Sequence, residues 1–274
     1  MSDINLKPTE LLHILKEVKC ITGFDFSEYA NSFIKRRTEL LMYANKITSE
    51  ADLIYRINQS EGFAGQFLET IFIPQSELFR DAEMWNYLES KILTKLIGKK
   101  ELNIHLPYST SGEELFSLLF ILNKFDTTKV KITVTAVTDK HLSLIKKGEF
   151  NAVHVKASVK NLELLDSAID SDDIFSENKK LISVKHNFEG NIIYETCDFL
   201  KGDYFSEFDL IFFRNSMLYF NAELKEKMLK TVIRSLKKGA FLFIGEKETI
   251  GNESGKKIKQ VVRNLSIYKK KTFT

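Results

Sequence analysis

The stretch Ile104–Ser117, IHLPYSTSGEELFS, decides the fold. An apolar run begun at Leu102 leads into a loop of small and hydroxyl residues, and two acids then open an apolar helix that runs to about Asn123. Strand, tight loop and helix start, in that order, form the place where an open α/β sheet holds an anionic or nucleotide-like ligand. The loop departs from the usual glycine-rich turn. Pro107 fixes φ and removes a backbone donor, and Tyr108 brings a Cβ and a ring where glycine would be free to take φ > 0.

Downstream, strand-like runs alternate with helical patterns: Leu102–Leu106, Lys131–Thr138, Ile192–Glu195, Asp209–Phe213 and Phe241–Ile244. That alternation predicts a parallel, doubly wound sheet. The helix Ala222–Leu236 carries the stripe Leu224, Met228, Val232 and Leu236, and Lys237-Lys238-Gly239 is expected to end it with cations and a C′ glycine. A last strand around Leu265–Tyr268 is expected to close the sheet in antiparallel sense. The polar connection Ala157–Asn191 holds one short strand-like run, Leu181–Val184.

Upstream, everything from Thr9 to about Thr70 has helical spacing and no strand signal. Gly23 ends a first helix, Ser27 is expected to cap a second, and two more span about Ser49–Gln59 and Phe63–Ile71. Pro74 breaks the pattern before a connecting helix that begins near Ser76. The expected division is an all-helical domain over 1–72, a connecting helix over 73–100, and an α/β domain over 101–274 with a candidate small β-subdomain near 172–195.

Hydrophobic residues make up 43% of the 274, enough for a substantial core, and a formal charge of +3 is too small to make nucleic acid the principal partner. No run of ~18 apolar residues is present, so no membrane insertion is expected. The N-terminal residues lack a secretory pattern, and a cytoplasmic location is expected. Cys20 and Cys197 lie in no metal or redox spacing, the five histidines show no ligand spacing, and no metal site is expected.

Four segments fall at strand ends: Tyr108–Glu114, Thr138-Asp139, Cys197-Asp198-Phe199 and Arg214–Phe220. An acid after the second strand can accept hydrogen bonds from both hydroxyls of a ribose. With Ser76-Glu77-Leu78-Phe79-Arg80-Asp81 upstream, the ordered set resembles the CheR family of chemotaxis receptor methyltransferases. The most specific part is Phe208-Asp209-Leu210-Ile211-Phe212-Phe213-Arg214-Asn215-Ser216-Met217-Leu218-Tyr219-Phe220. The resemblance covers nearly the whole chain.

That resemblance implies a class I S-adenosylmethionine methyltransferase, Rossmann-like with a mostly parallel seven-stranded sheet, preceded by a small all-helical domain. It implies methylation of receptor glutamates to methyl esters, with S-adenosylhomocysteine as the product. Arg80 and Tyr219 match the residues beside the transferred methyl group. Ser76, Arg80, Tyr108, Glu113, Asp139, Asp198, Phe199, Asn215 and Ser216 match the cofactor-binding positions, with Glu113 toward the amino group and Asp139 toward the ribose. Lys35, Arg36 and Arg37 are the candidates for docking on the cytoplasmic helices of a receptor. Taken alone, Arg80 could equally be a helix-surface charge paired with Asp81, and Lys35–Arg37 a solvated face. The altered loop leaves a second reading, a catalytically weakened or inactive receptor-binding relative, and a third is a methyltransferase that acts on another substrate. A Tyr108 ring turned out of the pocket predicts the enzyme, and one turned into it predicts the inactive relative.

Overall fold

A computed structural model describes residues 4–73, 77–98, 101–151, 155–166, 181–183, 188–196 and 207–272. The chain divides into two compact units, one formed by Met1–Ile73 with Tyr219–Lys225 and the other by Pro74–Leu218 with Glu226–Thr274.

The first unit is helical: α1 (Pro8–Thr22), α2 (Asn31–Ala44), α3 (Glu50–Gln59) and α4 (Glu61–Ile71). Their apolar stripes meet in a core of Ile14, Val18, Ile34, Met42, Leu53, Ile57 and Phe67. Gly23 ends α1 in the left-handed conformation at φ 77°. Ser49 and Ser60 cap α3 and α4 by accepting hydrogen bonds from the Asp52 and Phe63 backbone N–H groups. Ser27 is not a cap. Its N–H donates to Asp25 Oδ1, and α2 starts only at Asn31, with Ala30 in extended conformation before it. The delay has a cause in packing: Tyr29 forms a β-bridge with Phe220, Ala30 N–H donates to Tyr219 O at 2.9 Å, and Asn221 N–H donates to Glu28 O at 3.0 Å. Residues far along the chain thereby complete the helical unit.

The second unit begins with α5 (Ala82–Tyr87), which continues through a π-helical stretch, Leu88–Leu93, to a last turn at Thr94–Leu96. There follow β1 (Leu102–Ser109), α6 (Glu113–Leu122), β2 (Val130–Ala136), α7 (Asp139–Lys147), β3 (Glu149–Asn151), α8 (Val155–Glu163), β4 (Leu181–Ser183), β5 (Asn191–Thr196) and β6 (Phe208–Phe212). After β6 come a 3-10 turn at Met217–Tyr219, α9 (Ala222–Arg234), β7 (Leu236–Phe243), a short helix at Asn252–Gly255, β8 (Ile258–Gln260) and β9 (Ile267–Lys270). The seven-stranded sheet runs β5-β2-β1-β6-β7-β9-β8, parallel from β5 to β7, with β9 antiparallel to both its neighbours. β3 and β4 form a separate two-stranded antiparallel sheet, while β5 belongs to the main sheet.

Ile104, Leu106, Ile132, Val134, Leu210 and Phe212 are buried in the main sheet, as expected for strands covered on both faces. Trp85 stacks on Phe212, and Phe212 on Phe243 with ring centroids 4.4 Å apart. One sequence expectation fails at the end of α9. The helix stops at Arg234, and Lys237-Lys238-Gly239 lie inside β7 rather than at a helix cap. Partners on β6 advance from Phe208 to Leu210 while those on β7 advance from Leu236 to Phe241. Gly239, at φ 76°, takes up the surplus as a bulge. The edge strand β8 went unpredicted because Ile258 is its one apolar residue.

Candidate cofactor cleft

The chain lays β2 and β5 on one side of β1 and then crosses to β6 on the other, so the strand order reverses between β1 and β6. The crevice beyond the carboxyl ends of these strands is where an open α/β sheet binds its ligand. Four of the five non-glycine residues at positive φ among those described lie in the segments that meet there: Phe79 (53°), Asp81 (61°), Tyr108 (58°) and Asn215 (59°). Each such conformation costs on the order of 1–3 kcal/mol and persists only where its surroundings enforce it.

The β1 end carries Tyr108 in the backbone conformation that a glycine would adopt there. The residue is 8% exposed, so the ring is packed rather than held out in solvent. Glu113 opens α6 and is buried. Burial raises its carboxyl to about 7, a hydrogen bond with Ser111 works in the opposite sense, and Oε2 has no partner. An acceptor oriented by a helix start, buried and unsatisfied, calls for a cationic donor.

Its neighbour Glu114 is used differently. Arg214, fully buried, donates to Glu114 Oε1 at 2.9 Å, to Asp81 Oδ2 at 2.6 Å and to Arg80 O at 2.8 Å, with its guanidinium over the Trp85 ring. Both carboxylates raise the Arg214 pKa against burial, and burial pushes Glu114 up to about 7 against the pull of Arg214. Asp81 therefore pairs with Arg214, and the simple surface pair of Arg80 with Asp81 is not formed. Ser117 adds a second tie, accepting from Phe79 N–H at 2.8 Å and donating to Glu113 O at 2.6 Å. Arg80 itself is half-buried and lines a cleft of about 660 Å³ with Glu77, Asn86, Asn161 and Glu246.

At the β2 end Asp139 is exposed as the first residue of α7, with Thr138 as the N-cap, and its Oδ1 accepts from Thr196 Oγ1 at the end of β5. At the β6 end Asn215 is buried with its amide Nδ2 unpartnered, and the Ser216 hydroxyl donates to Arg214 O at 3.4 Å. Two residues outside the sequence motifs shape this corner, Gly245 and Glu248. Glu248 accepts the backbone N–H groups of Asn215, Met217 and Gly245. The signal available for it was weak, an acid four residues beyond the last predicted parallel strand.

Ser76, Asp198 and Phe199 lie outside the described residues. Tyr219 belongs to the helical unit, stacked on Phe33 at a centroid distance of 4.3 Å and acting electrostatically on Arg37. Lys35, Arg36 and Arg37 follow one another on α2 and so point about 100° apart. Lys35 Nζ donates to Asn5 Oδ1, Arg37 Nε donates to Thr70 O, and Arg36 is exposed. The described histidines serve structure. His105 is buried against Thr135 and Phe208, which lowers its pKa to about 3. His141 packs on the Thr138 cap, and His13 pairs with Glu50 at the surface.

A sheet of this order, with β9 reversed and its crevice beside β1, is that of the Rossmann-like methyltransferases. An orphaned acceptor and an orphaned donor at adjacent strand ends suit a ligand that carries both an ammonium and hydrogen-bond acceptors, as S-adenosylmethionine does. Residues 74–265 match the S-adenosylmethionine-binding domain of CheR methyltransferases, and residues 9–72 match their all-alpha domain. The chain belongs to the CheR methyltransferase family, and S-adenosylmethionine is its cofactor. It is 26% identical to a chemotaxis protein methyltransferase of Listeria monocytogenes, over 89% of this chain and 91% of the relative. It is also 26% identical to chemotaxis protein methyltransferase 1 of Pseudomonas aeruginosa (89% and 90%) and to a chemotaxis protein methyltransferase of Borreliella burgdorferi (92% of each). No described helix is long and apolar enough to cross a membrane.

Proposed function

We propose that this chain transfers a methyl group to glutamate side chains on the cytoplasmic helices of chemotaxis receptors, forming methyl esters. The observation that carries the reading is the buried, unpartnered Glu113 Oε2 at the β1 end of the crevice, an acceptor placed for the cofactor's ammonium. Asp139 is assigned to the ribose, Asn215 and Ser216 to the adenosyl side, and Ser76, Asp198 and Phe199 to the same cofactor by motif. The cofactor supplies an electrophilic methyl group on a sulfonium.

The protein's part is small in acid–base terms. A receptor glutamate, with an ordinary pKa of about 4.3, is ionised at neutral pH and needs no general base. What remains is alignment and exclusion of water. Arg80 is assigned to gripping the carboxylate by two-point hydrogen bonding, and Tyr219 to orienting it. Arg36, the exposed member of its trio, is assigned with Lys35 and Arg37 to the docking face. A receptor-binding protein without activity would have no use for an ionisable group buried without a partner, so the enzyme is the reading favoured.

Titration calorimetry with S-adenosylhomocysteine tests the cofactor site, and no heat at millimolar ligand overturns it. Transfer of labelled methyl groups to receptor-rich membranes, with a base-labile product, tests the substrate. Arg80→Ala is expected to lower turnover at least a hundredfold and leave S-adenosylhomocysteine affinity within about threefold. Loss of both together would make Arg80 a cofactor ligand or a structural residue.

A further inference from the structure

Glu248 lies beyond β7, outside every motif that marks the cofactor cleft. Its carboxylate is buried at 6% exposure and is used up on backbone. Oε2 accepts from Asn215 N–H at 2.8 Å and from Gly245 N–H at 2.8 Å, and Oε1 accepts from Met217 N–H at 2.7 Å. The β6–β7 ladder ends where Phe213 N–H donates to Phe243 O. Past that point the side chain of Glu248 accepts the N–H groups of both continuing segments, Asn215 after β6 and Gly245 after β7.

Asn215 is thereby fixed from two sides. Its N–H is bound to Glu248 at φ 59°, and its side chain packs against Gly245, where an added Cβ would fall 2.4 Å from Oδ1. The amide Nδ2 is left buried and without a partner. We propose that Glu248 is a positioning residue of the cofactor cleft, holding the Asn215–Met217 backbone in the left-handed turn that presents Asn215 Nδ2 as a donor to the bound cofactor. This rests on the reading that Asn215 lines the cofactor.

A carboxylate suits the task because it offers acceptors only. Glutamine would turn an N–H₂ toward one of the three N–H groups, and aspartate is one methylene too short to reach all of them. Glu248 touches no cofactor and acts through Asn215.

The test is titration of the full chain with S-adenosylhomocysteine, with wild type, Glu248→Gln, Asn215→Ala and the double variant compared. Each single change is expected to weaken binding more than tenfold, and the double variant to bind no more weakly than the worse single, because both remove the same contact. Gly245→Ala, which displaces Asn215 while keeping Glu248, is expected to weaken binding as well, and it serves if Glu248→Gln does not fold. Amide hydrogen exchange in the ligand-free protein gives an independent readout. Asn215, Met217 and Gly245 are expected to lose protection in Glu248→Gln while the β1 and β2 amides keep theirs.

Wild-type affinity in Glu248→Gln, or effects that add in the double variant, overturns the proposal alone. No binding by wild type overturns the cofactor reading and the proposal with it.

Discussion

The loops that leave β1 and β6 both turn on a side-chain-bearing residue in the left-handed region, Tyr108 at 58° and Asn215 at 59°, yet they are held in opposite ways. At the β6 end the charged groups are committed to structure, while the Asn215 amide Nδ2 stays open. Arg214 binds two carboxylates and a carbonyl, and Glu248 binds three N–H groups. At the β1 end the most buried acid keeps an oxygen open and has its pKa raised by burial. One side of the crevice is therefore scaffold, in which charge is consumed to enforce geometry. The other holds an unsatisfied group open to a ligand. Asn215 joins the two, with its backbone consumed and its Nδ2 open.

The comparison breaks most visibly at Arg214. Arg214→Leu strands Asp81 and Glu114 without their counterion, and the expected loss is about 3–5 kcal/mol, read as a lower urea midpoint. An unchanged midpoint would show that the β6 side is not scaffold. Glu113→Gln should do the reverse. A carboxyl raised from 4.5 to about 7 binds its proton more tightly when folded, so ionising it opposes folding. The penalty is full above about pH 7, shrinks as pH falls, and is gone near pH 4.5. Removing it is expected to stabilise the ligand-free protein by on the order of 3 kcal/mol at pH 8, with no gain at pH 4.5 and with weaker S-adenosylhomocysteine binding. A variant both less stable and weaker in binding would make Glu113 structural.

Much of this contrast was legible in the sequence, but unevenly. The alternation of apolar runs located β1, β2, β5, β6 and β7: the inner strands are buried on both faces and leave a clear apolar run, while the edge strand β5 shows only the half-buried Ile192, Ile193 and Tyr194. The four helices of the first unit followed from their stripes. The Gly23 stop of α1 followed too, but the start of α2 did not, because it is set by a bridge from Tyr29 to Phe220, a contact no local pattern records. Gly239 was misassigned for a similar reason: Lys-Lys-Gly after an apolar stripe fits a helix cap as well as a bulge, and only the pairing with β6 decides. Among candidate site residues, motif order singles out Arg80, Glu113, Asp139 and Asn215. Helix-start preference alone does not separate Glu113 from Glu114; the motif singles out Glu113, and the position of Arg214 gives the two acids different work. Two of the three backbone N–H groups that Glu248 binds, those of Asn215 and Met217, are more than thirty positions away, which leaves no side-chain pattern to detect.

Two smaller effects sharpen the division. Ser117 ties the Arg80 segment to the start of α6, and Ser117→Ala leaves the buried Phe79 N–H without its acceptor. The expected cost is about 1–3 kcal/mol in stability, with turnover falling more than S-adenosylhomocysteine affinity because the loosened segment carries Arg80.

The smallest effect is the most specific. If the open oxygen of Glu113 receives the cofactor's ammonium, binding requires the ionised carboxyl, and in the free site that group titrates near 7. S-adenosylhomocysteine affinity should then be level just above that pH and fall below it by at most about tenfold per pH unit, roughly 1.4 kcal/mol. Glu114 titrates in the same range, but its oxygens face Arg214 rather than an open position. The two acids are separated by repeating the profile in Glu113→Gln. A profile that becomes flat assigns the proton to Glu113 and the reserve charge to the β1 side. A slope that survives assigns it to Glu114, and the scaffold of the β6 side would then be a participant in binding rather than its frame.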